Sequence, residues 1–355
     1  MRLFFIIMHL IKVKRQLKTP NDIKKLFNDY SLSISGLMTG AALNAKLAKN
    51  ARAAMPPAVI LHHLADRQIL AAIDPDNAAE TTNRQYIAEL ADLSKKFNLE
   101  SKLKNYTGCA YSSAGCRRSC LVFSGRSNIF KAVQYARGRR TLAAIDRPTA
   151  YTRGLIFSIA YHLKKAGGAL SVRLKGTDEN NLHFKRVFLT LPEVQHLNRY
   201  YGLNIEYLDK PRVISEIFKN DSIIFYEYSK APLTYLNRLK ALGVDVTASL
   251  VADRPTGAAD AITAINAGYR LAVPVTLNKA DRIPRRVIIS DNTGRRVDIA
   301  ARSGDLYDYR PADPQKCAVI LKAKKSAGGN ILSAFFVADK VGRQHIGGGS
   351  IELIY

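Results

Sequence analysis

Three cysteines fall within twelve residues of this 355-residue chain: Cys109, Cys116 and Cys120, spaced Cys-x6-Cys-x3-Cys. Gly108, Ser112, Ser113, Gly115, Ser119, Ser124 and Gly125 surround them, a composition that reads as a turn-rich polar loop. Free cysteines prefer buried apolar sites, so three thiols on a polar loop point to ligation. Arg117, Arg118 and Arg126 would offset the charge of thiolates and favour them. Structural zinc usually takes four protein ligands, and the nearest further donors, His162, His183 and Cys317, are remote in sequence. A three-cysteine loop instead suits an iron–sulfur cluster with one iron left open to an exogenous ligand. Zinc, and three ordinary loop cysteines, remain the competing readings.

The charge around this loop indicates what it would act on. The chain carries 54 Lys and Arg against 29 Asp and Glu, a net charge of +25. Ser101 to Arg147 alone holds ten basic residues and a single acid, Asp146. Such a field attracts polyanions, and nucleic acid is the partner it implies. Arg117, Arg118, Arg126, Arg137, Arg139 and Arg140 are the candidate phosphate contacts, on a basic stretch expected to flank the loop on an exposed face, with a basic helix from Asn128 to Ala144. No Gly-x4-Gly-Lys-Ser/Thr phosphate loop is present, which argues against an NTP-driven helicase. His62-His63 is not the His-x-His of a rolling-circle nuclease. Four cysteines in so long a chain do not make a secreted disulfide scaffold, so a reducing cytoplasm is the expected setting. The apolar run Leu3 to Ile11 is too short to span a bilayer and reads as a buried strand or interfacial helix, with no transmembrane segment expected.

The elements that must position these groups follow from hydrophobic period. Residues 1–104 read as a mainly helical region packed on the core, with a short strand at Val59 to Leu61. From residue 105 to 325, strands near Leu170, Ile205, Ile223, Val244, Arg270, Val287 and Val319 alternate with helices of about ten residues. That alternation implies parallel βαβ units, an α/β fold, and a complete or partial (β/α) barrel; an open doubly wound sheet is the alternative. Residues 326–355 form a strand-containing tail around Gly347-Gly348-Gly349. In such folds the reacting groups stand where strands end. Arg173, Asp178, Glu179, Glu227 and Lys230 are therefore the candidate catalytic residues, with Asp253-Arg254 after a further strand. The segment Gly304 to Pro314, with Asp305, Asp308 and Asp313, reads as a solvated turn pinned by Arg310.

The cysteine loop, the basic stretch after it, Arg173-Leu174-Lys175-Gly176-Thr177-Asp178, Tyr226-Glu227-Tyr228-Ser229-Lys230 and Gly304-Asp305…Asp308-Tyr309-Arg310…Asp313-Pro314 together carry a resemblance. Over about residues 105–325 the chain resembles an uncharacterised phage- and plasmid-borne family related to a mycobacteriophage gene-product family. Lys175 stands where that family has asparagine, and Glu179 where it has aspartate. The loop on a barrel-like fold is also similar to radical S-adenosylmethionine enzymes, although their spacing is Cys-x3-Cys-x2-Cys. The resemblance implies a phage- or plasmid-type protein with an iron–sulfur centre and S-adenosylmethionine as a further cofactor. The opposing reading is a non-enzymatic nucleic-acid-binding or DNA-replication protein with a structural metal or none.

Overall fold

The computed structural model describes residues 20–40, 45–63, 84–104, 106, 108–118, 131–176, 178–276, 282–322, 337–338 and 342–355. The apolar N-terminal run, Cys120 and Arg126 lie outside them, as do the side chains of Arg117 and Arg118. The elements are α1 (Asn21–Asp29), α2 (Ala45–Arg52), β1 (Ala58–Ile60), α3 (Arg84–Lys96), α4 (Glu100–Lys104), α5 (Ala114–Arg118), α6 (Lys131–Asp146) and α7 (Pro148–Lys165). There follow β2 (Leu170–Arg173), α8 (Leu191–Tyr201), α9 (Ile214–Ile217), β3 (Ile223–Ser229), α10 (Leu233–Ala241), β4 (Asp245–Ser249), α11 (Gly257–Asn266) and β5 (Arg270–Val275). The last are β6 (Arg286–Asp291), β7 (Arg296–Ser303), β8 (Ala318–Lys322), β9 (Arg343–Ile346) and β10 (Gly349–Ile354).

The strands form one ten-stranded sheet in the order β1-β2-β3-β4-β5-β8-β7-β6-β10-β9. From β1 through β7 in that order every pairing is parallel; β6, β10 and β9 continue it antiparallel. The expected mixed α/β fold with mostly parallel strands is present. The sheet is open, with β1 and β9 at its two edges, and does not close into a complete barrel. Strand pairing runs across residues 104/105 through β1 and across 325/326 through β10.

The expected strand at Ile205 does not form. Asn198 on α8 donates through Nδ2 to the Ile205 carbonyl at 2.8 Å, and its Oδ1 accepts the Ile205 N–H at 2.9 Å. One side-chain amide thus satisfies both backbone groups that a ladder would have used. The helix presenting it is sharply bounded. Thr190 and Glu193 make a capping box at its start, and Gly202 ends it in the left-handed conformation at φ 72°.

Alternation along the strands sorts side chains onto two faces. Val59, Val172, Phe225, Val246, Leu271 and Ile320 join the main core. On the core-facing side, α7 packs on β2, α10 on β4, and α11 on β4, β5, β6 and β10. Ala58 and Ile60 instead pack with Leu47 of α2 in a separate small cluster, so α2 covers the opposite face at the β1 edge. The β7–β8 connection is tied to α2 there: the Asp308 N–H donates to Asn50 Oδ1 at 2.8 Å, and Lys49 Nζ to the Asp305 carbonyl at 2.5 Å. This connection is not a solvated turn, since Asp308, Arg310 and Asp313 are all buried. Arg310 does pin it, with Nη1 2.9 Å from Asp313 Oδ2. No helix among the described residues is long and apolar enough to cross a membrane.

Candidate site at the carboxyl edge of the sheet

β2 ends at Arg173, and the chain then turns back under the ends of β1 and β3. Gly176 makes the turn possible, because a Cβ there would fall 2.4 Å from the Leu61 carbonyl oxygen. Glu227, fully buried on β3, holds the turn in place. Its Oε1 accepts the N–H groups of Leu174 at 2.5 Å and Lys175 at 3.0 Å, and lies 2.8 Å from His183 Nε2. These backbone groups would otherwise be orphaned at the strand end.

The turn carries a row of buried charges. Lys175 Nζ donates to Glu179 Oε2 at 3.2 Å and Tyr235 Oη at 2.8 Å. Burial works against the lysine charge, but Glu179, Tyr235 and Glu227 outweigh it and hold the Lys175 pKa above its ordinary value. Glu179 also accepts Ser229 Oγ at 3.1 Å and the Lys230 N–H at 3.0 Å. Asp178 Oδ2 lies 3.1 Å from His63 Nδ1, and His63 Nε2 lies 2.9 Å from Tyr151 Oη. A neutral His63 with its proton on Nδ1 would donate to Asp178 and accept from Tyr151. Burial raises the Tyr151 pKa, opposed by Arg140, so the phenol keeps its proton. Below the turn, Arg173 reaches Asp308 at 3.6 Å and Glu227 at 3.8 Å, with its guanidinium over the Tyr228 ring. Asp308 Oδ2 accepts the Tyr226 hydroxyl at 2.9 Å.

The cysteine loop sits on this edge. The Glu179 N–H donates to the Gly108 carbonyl at 2.5 Å. After β4, Asp253 Oδ2 accepts the Gly115 N–H at 2.7 Å, while Arg254 Nη2 donates to the Tyr111 carbonyl at 2.6 Å. The Tyr111 ring meets Tyr235 edge-on at 5.4 Å. Within the loop, Ser112 Oγ bonds the Cys109 carbonyl at 2.8 Å and Ser113 Oγ accepts the Cys116 N–H at 3.1 Å. Cys109 and Cys116 are half-buried. Cys120 lies outside the described residues, among which no group of three or more His, Cys, Asp or Glu could hold a metal ion.

Of the candidate residues, Arg173, Glu179, Glu227 and Lys230 are linked to one another through the turn after β2 and the end of β3, while Asp178 bonds His63 and Asn180. The basic segment departs from expectation. Arg137 and Arg140 are 7% and 8% exposed, and so do not lie on an exposed face. α6 is wedged between α3 and α7, and Arg140 Nη1 donates to the His62 carbonyl at 3.0 Å. Arg139 is half-buried against the Tyr135 ring. The residues that sequence reasoning missed are His63, Tyr151 and Tyr235; His183 enters it only as a remote metal donor, not as the partner of Glu227. His63 had one usable signal, its place just past the end of a strand.

The fold and this edge define the class: an open, mostly parallel α/β sheet whose buried polar centre stands at the strand carboxyl ends, where sheets of this kind bind ligands. Residues 69–196 match the model of the Gene product 88 family, a phage gene-product family. The matched range takes in α6, α7 and the turn after β2; Glu227 and Asp308 lie beyond it. No curated protein and no solved structure matches the chain.

Proposed function

We propose that this carboxyl edge is the active site of an enzyme of phage or plasmid type acting on nucleic acid or a nucleotide. In this reading Cys109, Cys116 and Cys120 hold an iron–sulfur centre. The observation that carries the reading is the bracing of the cysteine loop by Glu179, Asp253 and Arg254, which come from two different strand ends. A loop without a task at the sheet edge would not require three separate anchors there. What supports such a centre is that Cys109 and Cys116 share one pinned turn and are half-buried, shielded yet reachable. When bound, a cluster held by three cysteines supplies an open iron able to take an exogenous ligand.

The chain's own residues have separable tasks. Lys175 and Arg173, both held charged, present cations to an anionic substrate. Glu227 and His183 fix the turn that carries them. Glu179 joins that turn to the cysteine loop and to Lys230. The net charge of +25 and the similarity to a phage gene-product family favour a phosphate-bearing substrate.

Anaerobic purification with iron and acid-labile sulfide analysis tests the centre. A brown protein whose broad absorbance disappears in the Cys109→Ser, Cys116→Ser, Cys120→Ser triple variant is the expected result. A colourless protein with stoichiometric zinc would favour the non-enzymatic alternative, and a metal-free protein would remove the metal altogether.

A further inference from the structure

A second concave site lies away from the carboxyl edge, where α1, α7 and the end of α8 meet. It is a groove of about 420 Å³, within the size range of sites that hold small molecules. α7 starts at the carboxyl edge, where Tyr151 bonds His63. Tyr161 stands three turns further on, about 15 Å away along the helix. Phe27, Tyr161, Tyr200 and Tyr201 line the groove with Lys24 among them, and no carboxylate does so among the described residues. Its walls are set before any ligand arrives. Ser158 Oγ donates to the Ile34 carbonyl at 2.6 Å and holds the loop after α1 against α7. His196 packs against Phe157, Tyr200 and Tyr201. Lys164 Nζ donates to the Tyr200 carbonyl at 2.5 Å and stands 4.4 Å from the centroid of that ring. Tyr200 is thus already faced by two neighbours. No ring lies flat on Tyr161 or Tyr201, whose ring neighbours meet them at interplanar angles of 59° or more.

The groove is also positive. The Lys24 side chain has no ion pair or hydrogen bond among the described residues. The acids of α1 are engaged elsewhere, Asp22 by Arg153 and Asp29 by Arg147. The nineteen residues that precede Pro20 hold five Lys and Arg and no Asp or Glu. Ring faces beside lysine charge, with no acid among them, suit a ligand that is flat and anionic. An ammonium group would be repelled by a lysine inside its aromatic cage. A duplex keeps its bases stacked, out of reach of a cavity of this size. We propose that the groove takes an unpaired base of a single-stranded nucleic acid against Tyr161 and Tyr201, with Lys24 and Lys164 meeting the flanking phosphates. Burial, and then the phenols of Tyr200 and Tyr161, push the Tyr201 pKa up to about 12, so that ring stays uncharged beside a phosphate. The site lies beyond the active-site reading of the carboxyl edge and stands without it.

The test is fluorescence anisotropy of the full chain with a short labelled oligothymidylate at low salt, where binding should be saturable. Tyr161→Leu keeps the apolar bulk but removes the ring, and should weaken binding by about five-fold or more. Tyr161→Phe keeps the ring and should stay within about two-fold of wild type. Lys24→Gln should flatten the dependence of log affinity on log salt by about 0.7, the share of one phosphate on a single strand. Neither Tyr161→Leu nor Lys24→Gln should change binding of the matching duplex. Irradiation of a strand carrying 5-iodouracil should cross-link it to a peptide that contains Tyr161 or Tyr201. Single-strand binding by Tyr161→Leu and Lys24→Gln equal to that of wild type would overturn the proposal, as would cross-links confined to other peptides. So would the absence of single-strand binding at low salt, which would leave the groove to a partner of another class. Lys24→Gln removes no contact within the fold, and with the cross-link it decides the matter even if Tyr161→Leu does not fold.

Discussion

Replacing Glu227 by alanine should unfold much of this protein's margin of stability, and the size of the loss can be worked from its contacts. The carboxylate is fully buried and accepts the N–H groups of Leu174 and Lys175, with His183 at 2.8 Å and Arg173 at 3.8 Å. Alanine leaves two buried backbone donors unsatisfied, at about 1–3 kcal/mol each. It also strips Arg173 of one of two counter-charges, and breaking a buried pair from one side costs about 3–5 kcal/mol. These terms overlap, so the expected loss is about 4 kcal/mol, a large share of the roughly 5–15 kcal/mol that holds a typical domain together. Glu227→Gln keeps an acceptor oxygen for the backbone and should lose about half as much, roughly 2 kcal/mol. Urea titration of the full chain by circular dichroism, with the slope held constant across variants, measures both. An alanine variant within about 1 kcal/mol of wild type would refute the account, because the turn would then be held by something other than this carboxylate.

Three further outcomes are expected. Arg270 is buried and grips Asp245 with two bonds, at 2.6 and 3.0 Å, while its Nε donates to the Asp313 carbonyl; Arg270→Lys cannot reproduce the fork and should lose about 2–4 kcal/mol in the same urea assay. The Lys175 pKa is raised in the folded state, so its contribution is full below the ordinary lysine value of about 10.4 and is lost as pH climbs through the folded value above it. Wild type should therefore lose more stability at alkaline pH than Lys175→Met, and parallel curves would contradict this. Gly347→Ala would put a Cβ 1.7 Å from the Arg254 carbonyl, backbone against backbone, so limited proteolysis should cut the 252–257 loop faster in the variant.

Much of the architecture was legible because it is written in a period. Strands at Leu170, Ile223, Val244 and Arg270 alternate with helices, and these four and the strand at Val319 are parallel neighbours in the sheet, although β6 and β7, not a helix, lie between the last two in the chain. Ile205 shows the limit: its apolar pattern is strand-like, yet a side chain seven residues away took its backbone bonds. The carboxylates at the strand ends could be found from topology alone. The environment of the arginines could not. Gln134, Arg137, Gly138 and Thr141 are buried at spacings of three, four and seven, a core face made of residues that sequence reading assigns to water. Gly138 explains part of it, since a Cβ there would strike the Leu90 side chain of α3. Reversing Arg137, Arg139 and Arg140 to Glu would thus bury new acids and test folding before it tested nucleic-acid binding.

Gly347 and Gly348 lie against the loop after β4. The Gly347 N–H bonds the Ala252 carbonyl at 2.6 Å, its carbonyl accepts the Ala258 N–H at 3.0 Å, and a Cβ on Gly348 would sit 2.2 Å from the Pro255 carbonyl oxygen. That same loop supplies Asp253 and Arg254, which hold the cysteine turn. The order of synthesis runs against this order of support. A ribosome makes the cysteine turn first, its anchor Glu179 roughly seventy residues later, Asp253 and Arg254 roughly seventy residues after that, and the glycine clasp roughly ninety residues later still. Until the loop after β4 is made, the turn lacks its Asp253 and Arg254 anchors.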